Sequence, residues 1–200
     1  MTEMRLILAS ASPARRAMLE GAELSFEVVP ANVDEAALRT HLSHDGAALS
    51  EIAGLLAEYK AKSISRENPE ALVIGADQLL VLGHEIFEKP KDMRAARETL
   101  QRLRGKTHEL ISAAALVRNG DCLWRTGDAA RLTMRDFSAD FLEDYLQDEG
   151  DAVLASVGAY RLEGRGSQLF RKIEGDYFTI LGLPLLPLLG VLREAGVLET

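Results

Sequence analysis

Apolar residues fall along this chain in two rhythms that take turns from one end to the other. The first rhythm is a short unbroken run. Leu6 to Ala9, in a strand over about 5–10, and Ala71-Leu-Val-Ile-Gly75 are of this kind. Runs without a polar interruption predict strands buried on both faces. Ser25-Phe-Glu-Val-Val29 predicts a further short strand. The second rhythm is a three-and-four spacing. Leu49, Ile52, Ala53, Leu56, Ala57, Lys60 and Ala61 share one face of a helix over about 46–66, and a shorter helix covers about 34–42.

Turn and cap residues mark the remaining boundaries. Leu79 to Phe87 predicts a hairpin turning near Gly83-His84. Asp92 caps a helix that runs to about Leu103, and Gly105 ends it. Thr107–Arg118 and Cys122–Met134 are long strands joined at Asn119-Gly120-Asp121. Ser138 caps a helix to about Asp148, strands are expected near 159–162 and 168–181, and Pro184 opens a last helix. Helices alternate with strands, yet hairpins are frequent. The pattern predicts an α/β fold whose mixed twisted β-sheet is flanked by helices. No Pro/Gly/Ser linker divides it, so residues 1–200 read as a single domain.

Composition narrows the partners. A formal charge of −8 over 200 residues argues against broad nucleic-acid binding. It leaves room for a phosphorylated small molecule held in a local cationic cleft. One cysteine, Cys122, forms no internal disulfide, which points to a reducing cytoplasm. Met1-Thr-Glu-Met4 has no basic run of the kind that opens a secretory leader. The most apolar tract, Tyr177 to Leu192, is interrupted by Pro184 and Pro187 and is too short for a membrane span.

Candidate chemistry gathers first at the turn after the leading strand. Ser10 and Ser12 precede Pro13, Ser12 stands at a cap position, and Arg15 and Arg16 fill the first helical turn. Free N–H groups, hydroxyls and guanidiniums together make a phosphate receptor, although a plain capped helix with solvated arginines uses the same residues. Asp77 follows the strand 71–75, at the edge where open α/β sheets place ligands. It suits a metal ligand or a proton acceptor, or else a turn residue bonded to its own backbone.

Other candidates are more scattered. Lys60 lies in the apolar stripe of its helix, aimed into a cleft or snorkelling out of the core. Lys89 and Lys91 flank Pro90 in a loop, and Glu35 near a helix start is a second metal carboxylate or a dipole-favoured acid. Gly164-Arg-Gly166 resembles a glycine loop, while His41 and His44 read as a surface pair. These ligand types suit a hard divalent cation, Mg²⁺ above all.

Several segments recur here together and in order. They are Leu8-Ala-Ser-Ala-Ser-Pro-Ala-Arg-Arg-Ala-Met-Leu19, Val33-Asp-Glu35, Lys60-Ala-Lys62, Ile74-Gly-Ala-Asp-Gln78, Lys89-Pro-Lys-Asp92 and Leu103-Arg-Gly-Lys-Thr-His108. Gly158-Ala-Tyr-Arg-Leu-Glu-Gly-Arg-Gly166, Ile173-Glu-Gly-Asp-Tyr177 and Gly182-Leu-Pro-Leu185 complete them. From Leu6 to about Leu192 the set resembles the Maf family of nucleoside triphosphate pyrophosphatases.

That resemblance implies a Maf/ITPase-like fold of two lobes around a central nucleotide cleft. It implies hydrolysis of a nucleoside triphosphate, modified or non-standard, to the monophosphate and pyrophosphate with Mg²⁺ or Mn²⁺, which would keep such nucleotides out of nucleic acid. Asp77 would accept a proton from water or help hold the metal, and Glu35 would support the metal. Arg15, Lys60 and Lys89 would neutralise the triphosphate, with Ser10 and Ser12 cradling it. Ala14, Gln78 and Glu163 occupy positions tied to base choice. Gln78 and Glu163 match the 7-methyl-GTP branch, and Ala14 departs from both that branch and the dTTP/UTP branch. A homodimer is compatible with the family, although no segment announces an interface. Two other readings fit the same residues: a nucleotidyltransferase, or a non-catalytic nucleotide sensor linked to cell division.

Overall fold

The computed structural model describes residues 4–44 and 46–199. Of Met1-Thr-Glu-Met4, on which the expectation of no leader rests, Met1–Glu3 lie outside the described residues. The strands are β1 (Leu6–Leu8), β2 (Glu27–Val28), β3 (Leu72–Leu82), β4 (Glu85–Phe87), β5 (Thr107–Arg118), β6 (Asp121–Met134) and β7 (Phe170–Glu174). The helices are α1 (Pro13–Gly21), α2 (Glu35–His44), α3 (Leu49–Ser65), α4 (Met93–Leu103), α5 (Ala139–Glu149), α6 (Tyr177–Leu181) and α7 (Leu185–Glu194). Seven strands form one sheet in the order β2-β1-β3-β5-β6-β7, with β4 on β3. β1 runs parallel to β2 and β3, whereas β4 and β7 pair antiparallel with β3 and β6. The sheet is mixed, as the hairpins required.

The chain divides into two compact units. The first comprises residues 1–78, 111–128 and 176–200, and the second residues 79–110 and 129–175. In the first, Leu6 and Leu8 of β1, Leu72 and Ile74 of β3, and Leu116 of β5 share a core with Leu19 of α1 and with Leu185, Leu188 and Leu192 of α7. The second has its own buried set, including Leu100, Leu103, Phe137, Tyr145, Leu146 and Leu169.

Local chemistry explains most boundaries. Ser12, Asp92 and Ser138 each accept a hydrogen bond from the backbone N–H three residues on, at Arg15, Ala95 and Phe141. Asn119 and Gly120 both have positive φ, 51° and 82°, which suits the tight turn between β5 and β6.

Three expectations need correction. β3 does not stop at Gly75 but continues to Leu82, so Asp77 lies inside a strand rather than after one. The run that read as a separate hairpin arm is its second half. No strand forms at 159–162: Ala159 takes a positive φ of 56° and the chain turns there. The strand expected over 168–181 ends at Glu174, because Gly175 has φ 128° and Asp176 caps α6 through the Thr179 N–H.

Candidate active site

The turn after β1 is drawn tight by its own side chains. Buried Ser10 receives the Ser12 N–H on its Oγ at 3.3 Å, and Ser12 Oγ receives the Arg15 N–H at 3.4 Å. The Arg15 side chain then reaches across the first unit. Its Nε donates to the Gly182 carbonyl at 2.8 Å, and its Nη1 to the Ala76 carbonyl at 2.9 Å and Ser10 Oγ at 3.2 Å. Burial draws this guanidinium below its ordinary pKa, against the opposing pull of Asp77 and Glu35. It stays charged, because arginine starts far above neutrality.

Arg16 takes no part. It pairs with Glu20 at 2.7 Å on an exposed face of α1, so the expected meeting of two guanidiniums does not occur.

Gly75 brings the next group into place. A Cβ there would lie 2.0 Å from the Ala57 carbonyl oxygen and 2.9 Å from the Ala61 backbone, so only glycine lets α3 lie this close to β3. Asp77 is two residues further along β3 and therefore on the same face. Lys60, one turn of α3 on from Ala57, meets it there. Its Nζ sits 2.6 Å from Asp77 Oδ1 and 2.8 Å from Glu35 Oε1. Lys60 and Asp77 are 8% and 4% exposed, so the ammonium is the bridge between two carboxylates rather than a snorkelling tip. An ion pair this enclosed is costly to break from one side, by about 3–5 kcal/mol.

Asp77 Oδ2 makes no hydrogen bond among the described residues and is not sealed from solvent. It is the open acceptor of the site. Asp77 and Glu35 offer hard oxygen donors, and the point they share is filled by the Lys60 ammonium, which leaves their other oxygens for a ligand. No group of three or more His, Cys, Asp or Glu that would cage a metal occurs among the described residues. Two carboxylates supplemented by phosphate oxygens and water are nonetheless a common way to hold Mg²⁺. The donor set therefore fits Mg²⁺ or Mn²⁺ carried in with a phosphorylated ligand.

The remaining candidates divide between the units. Gln78 points to the opposite face of β3 from Asp77, where its amide bonds α6 and Ser112. Ala14 lies in the first turn of α1, partly buried. Lys89 and Glu163 belong to the second unit. Lys89 is exposed beside the buried Pro90, in the loop between β4 and α4. Glu163 lies in a turn held by Arg161, whose Nε is 3.5 Å from its carboxylate. Gly166 allows that turn, since a Cβ there would lie 2.3 Å from the Arg161 carbonyl. Ser112 and Thr179 were not singled out from the sequence, although an Asp three residues before Thr179 is a cap signal, and Gly182 entered only within the segment Gly182-Leu-Pro-Leu185.

A profile described as Maf-like protein matches residues 5–195. The chain belongs to the Maf family. This Maf protein is 54% identical over 199 residues to a protein of Mesorhizobium japonicum named 7-methyl-GTP pyrophosphatase, covering 100% of both chains. It is 51% identical over 191 residues to a nucleoside triphosphate pyrophosphatase of Granulibacter bethesdensis, covering 96% of this chain and 97% of that one. A solved nucleoside-triphosphatase / dITP/XTP pyrophosphatase of Mycobacterium abscessus aligns over 98% of each chain at 14% identity. Its TM-score of 0.41 is too low to bear on the Maf assignment. No described helix of the Maf chain is long and apolar enough to cross a membrane.

Proposed function

We propose that this Maf protein is a nucleoside triphosphate pyrophosphatase that releases pyrophosphate and leaves the nucleoside monophosphate. The observation that carries the reading is Lys60, buried between Asp77 and Glu35 with the Arg15 turn in electrostatic reach. Cleaving a phosphoanhydride needs charge neutralisation and a placed water more than a covalent nucleophile. Asp77 Oδ2 accepts a proton from water, whose oxygen bonds the α-phosphorus as the bond to the bridging oxygen breaks and pyrophosphate departs. Lys60 holds Asp77 through its other oxygen, so the acceptor stays aimed. Arg15 and the Ser10–Ser12 turn bind phosphate oxygens. A bound Mg²⁺ or Mn²⁺, held by Asp77 and Glu35, would supply charge neutralisation at the phosphate oxygens.

The preferred base in this reading is 7-methylguanine. Its ring is cationic and its Watson–Crick edge carries N–H donors, which suits an acceptor at Gln78. The name of the Mesorhizobium japonicum relative points the same way.

Pyrophosphate release from 7-methyl-GTP, dTTP and UTP with Mg²⁺ is the test. Asp77→Asn is expected to lose at least about 10²-fold in kcat while keeping the wild-type circular dichroism spectrum. Unchanged turnover would overturn the mechanism. Pyrophosphate appearing only when an acceptor molecule is supplied would replace hydrolysis with nucleotidyl transfer.

A further inference from the structure

The amide of Gln78 is held by acceptors alone. The two protons on its Nε2 are shared among three acceptors: Ser112 Oγ at 2.9 Å, the Ile180 carbonyl at 3.0 Å and the Thr179 carbonyl at 3.2 Å. Carbonyls have no proton to give, and the Ser112 hydroxyl spends its own on the Thr179 carbonyl at 2.7 Å. An inverted amide would set its oxygen against three oxygens with no proton between them. The two ends of a glutamine amide are usually told apart only by their network, and this network admits one assignment.

The frame around the amide is itself fixed. Ser112 is fully buried, and Thr179 is 1% exposed. The Thr179 N–H donates to Asp176 Oδ1 and its hydroxyl to Asp128 Oδ2, both at 2.9 Å. With Nε2 turned inward, Gln78 Oε1 has no partner among the described residues and is not enclosed. It also lies beside the candidate phosphate site. A Cβ added at Gly182 would stand 3.5 Å from the Arg15 guanidinium and 3.7 Å from Gln78 Cδ.

We propose that Ser112 is a positioning residue which, with the carbonyls ending α6, makes Gln78 a one-way acceptor, so that Gln78 reads an N–H donor of the nucleobase. The proposal rests on the nucleotide pyrophosphatase reading. It adds a direction to the recognition: the base must present hydrogen at this position, and a base presenting only an acceptor there meets a repulsive oxygen. Thr179 supplies the second fixed point, and its side chain acts only through α6.

Two measurements decide it. The first compares kcat and KM for 7-methyl-GTP with analogues lacking the N1 proton or the 2-amino group. Wild type is expected to disfavour at least one analogue by about tenfold, the worth of one well-placed hydrogen bond. Gln78→Ala should erase that preference. Ser112→Ala should lower it by about threefold or more through KM, with kcat nearly unchanged, and Ser112→Thr, which keeps the hydroxyl, should restore it. Full preference in Ser112→Ala, or equal losses on all three nucleotides, overturns the proposal.

The second measurement is ¹⁵N nuclear magnetic resonance of the Gln78 side-chain amide in the wild-type protein. Slow solvent exchange of its protons, lost in Ser112→Ala, is the expected result, and exchange as fast as that of an exposed glutamine overturns the lock. If wild type releases no pyrophosphate from any triphosphate, the pyrophosphatase reading fails by itself. The amide protons, followed while the same nucleotides are titrated in, then decide the positioning claim.

Discussion

His108 shows how much a single buried residue reveals about pH. It is 1% exposed, its Nε2 lies 2.8 Å from Tyr160 Oη, and its Nδ1 is the unpartnered buried atom found among the described side chains. Burial pushes its pKa from 6.5 down to about 4. The unfolded chain therefore takes up a proton below about pH 6.5 that the folded chain refuses until about pH 4. Stability should fall as pH drops through that window and level off for this residue below it, by about 3 kcal/mol in all. Urea unfolding at several pH values between 7.5 and 4 measures this directly. The slope should flatten in His108→Leu, and an unchanged slope would assign the loss to other groups. His108 carried no such signal in sequence, because its partner lies 52 residues away. Lys60 is the contrasting case: its place in an apolar stripe already marked it as a side chain to point into a cleft, with a snorkelling stem as the alternative, and its burial decides between them. Arg15 stands between them. Its charge and its cap were legible, but its bonds to Ala76 and Gly182, 61 and 167 residues distant, were not.

At the scale of elements, the packing of α3 on β3 is what assembles the site, and Gly75 is its weakest point. The added methyl of Gly75→Ala would overlap the Ala57 carbonyl oxygen, and neither is the end of a flexible side chain. Either the helix moves away or the strand bends. The expected loss is about 3 kcal/mol, at the high end for overpacking. Because Lys60 rides on the same helix, pyrophosphate release should fall further than stability alone explains. A melting temperature and turnover both equal to wild type would contradict this account of why the position is glycine. The elements missed in sequence failed for related reasons. An apolar run reads alike as strand or short helix, and over 168–181 the break depends on one glycine's φ and one aspartate cap. The β3 boundary was misplaced because a charged residue inside a central strand looks like a terminus. Here the charge is tolerated only because a lysine arrives from another element to meet it.

The whole molecule is acidic, with a formal charge of −8, yet its proposed ligand is a polyanion. The contradiction dissolves when charge is counted locally. Lys60 and Arg15 already balance Asp77 and Glu35, so an incoming triphosphate needs further positive charge, and a divalent cation brings it. That balance depends on a unit assembled from three separated stretches, the last being residues 176–200. This stretch supplies Leu185, Leu188 and Leu192, each at most 4% exposed, to the core that also holds β1. Each such leucine is worth about 2 kcal/mol. Three of them approach the ~5–15 kcal/mol that separates a folded domain from its unfolded chain. The same stretch carries the Gly182 carbonyl that holds Arg15 and the α6 carbonyls that hold Gln78. Deletion of residues 176–200 should therefore abolish cooperative thermal unfolding of the first unit, and with it all pyrophosphate release. A truncated chain that still melted cooperatively and turned over would show that β1, β3, α1, α2 and α3 form the site without the last stretch.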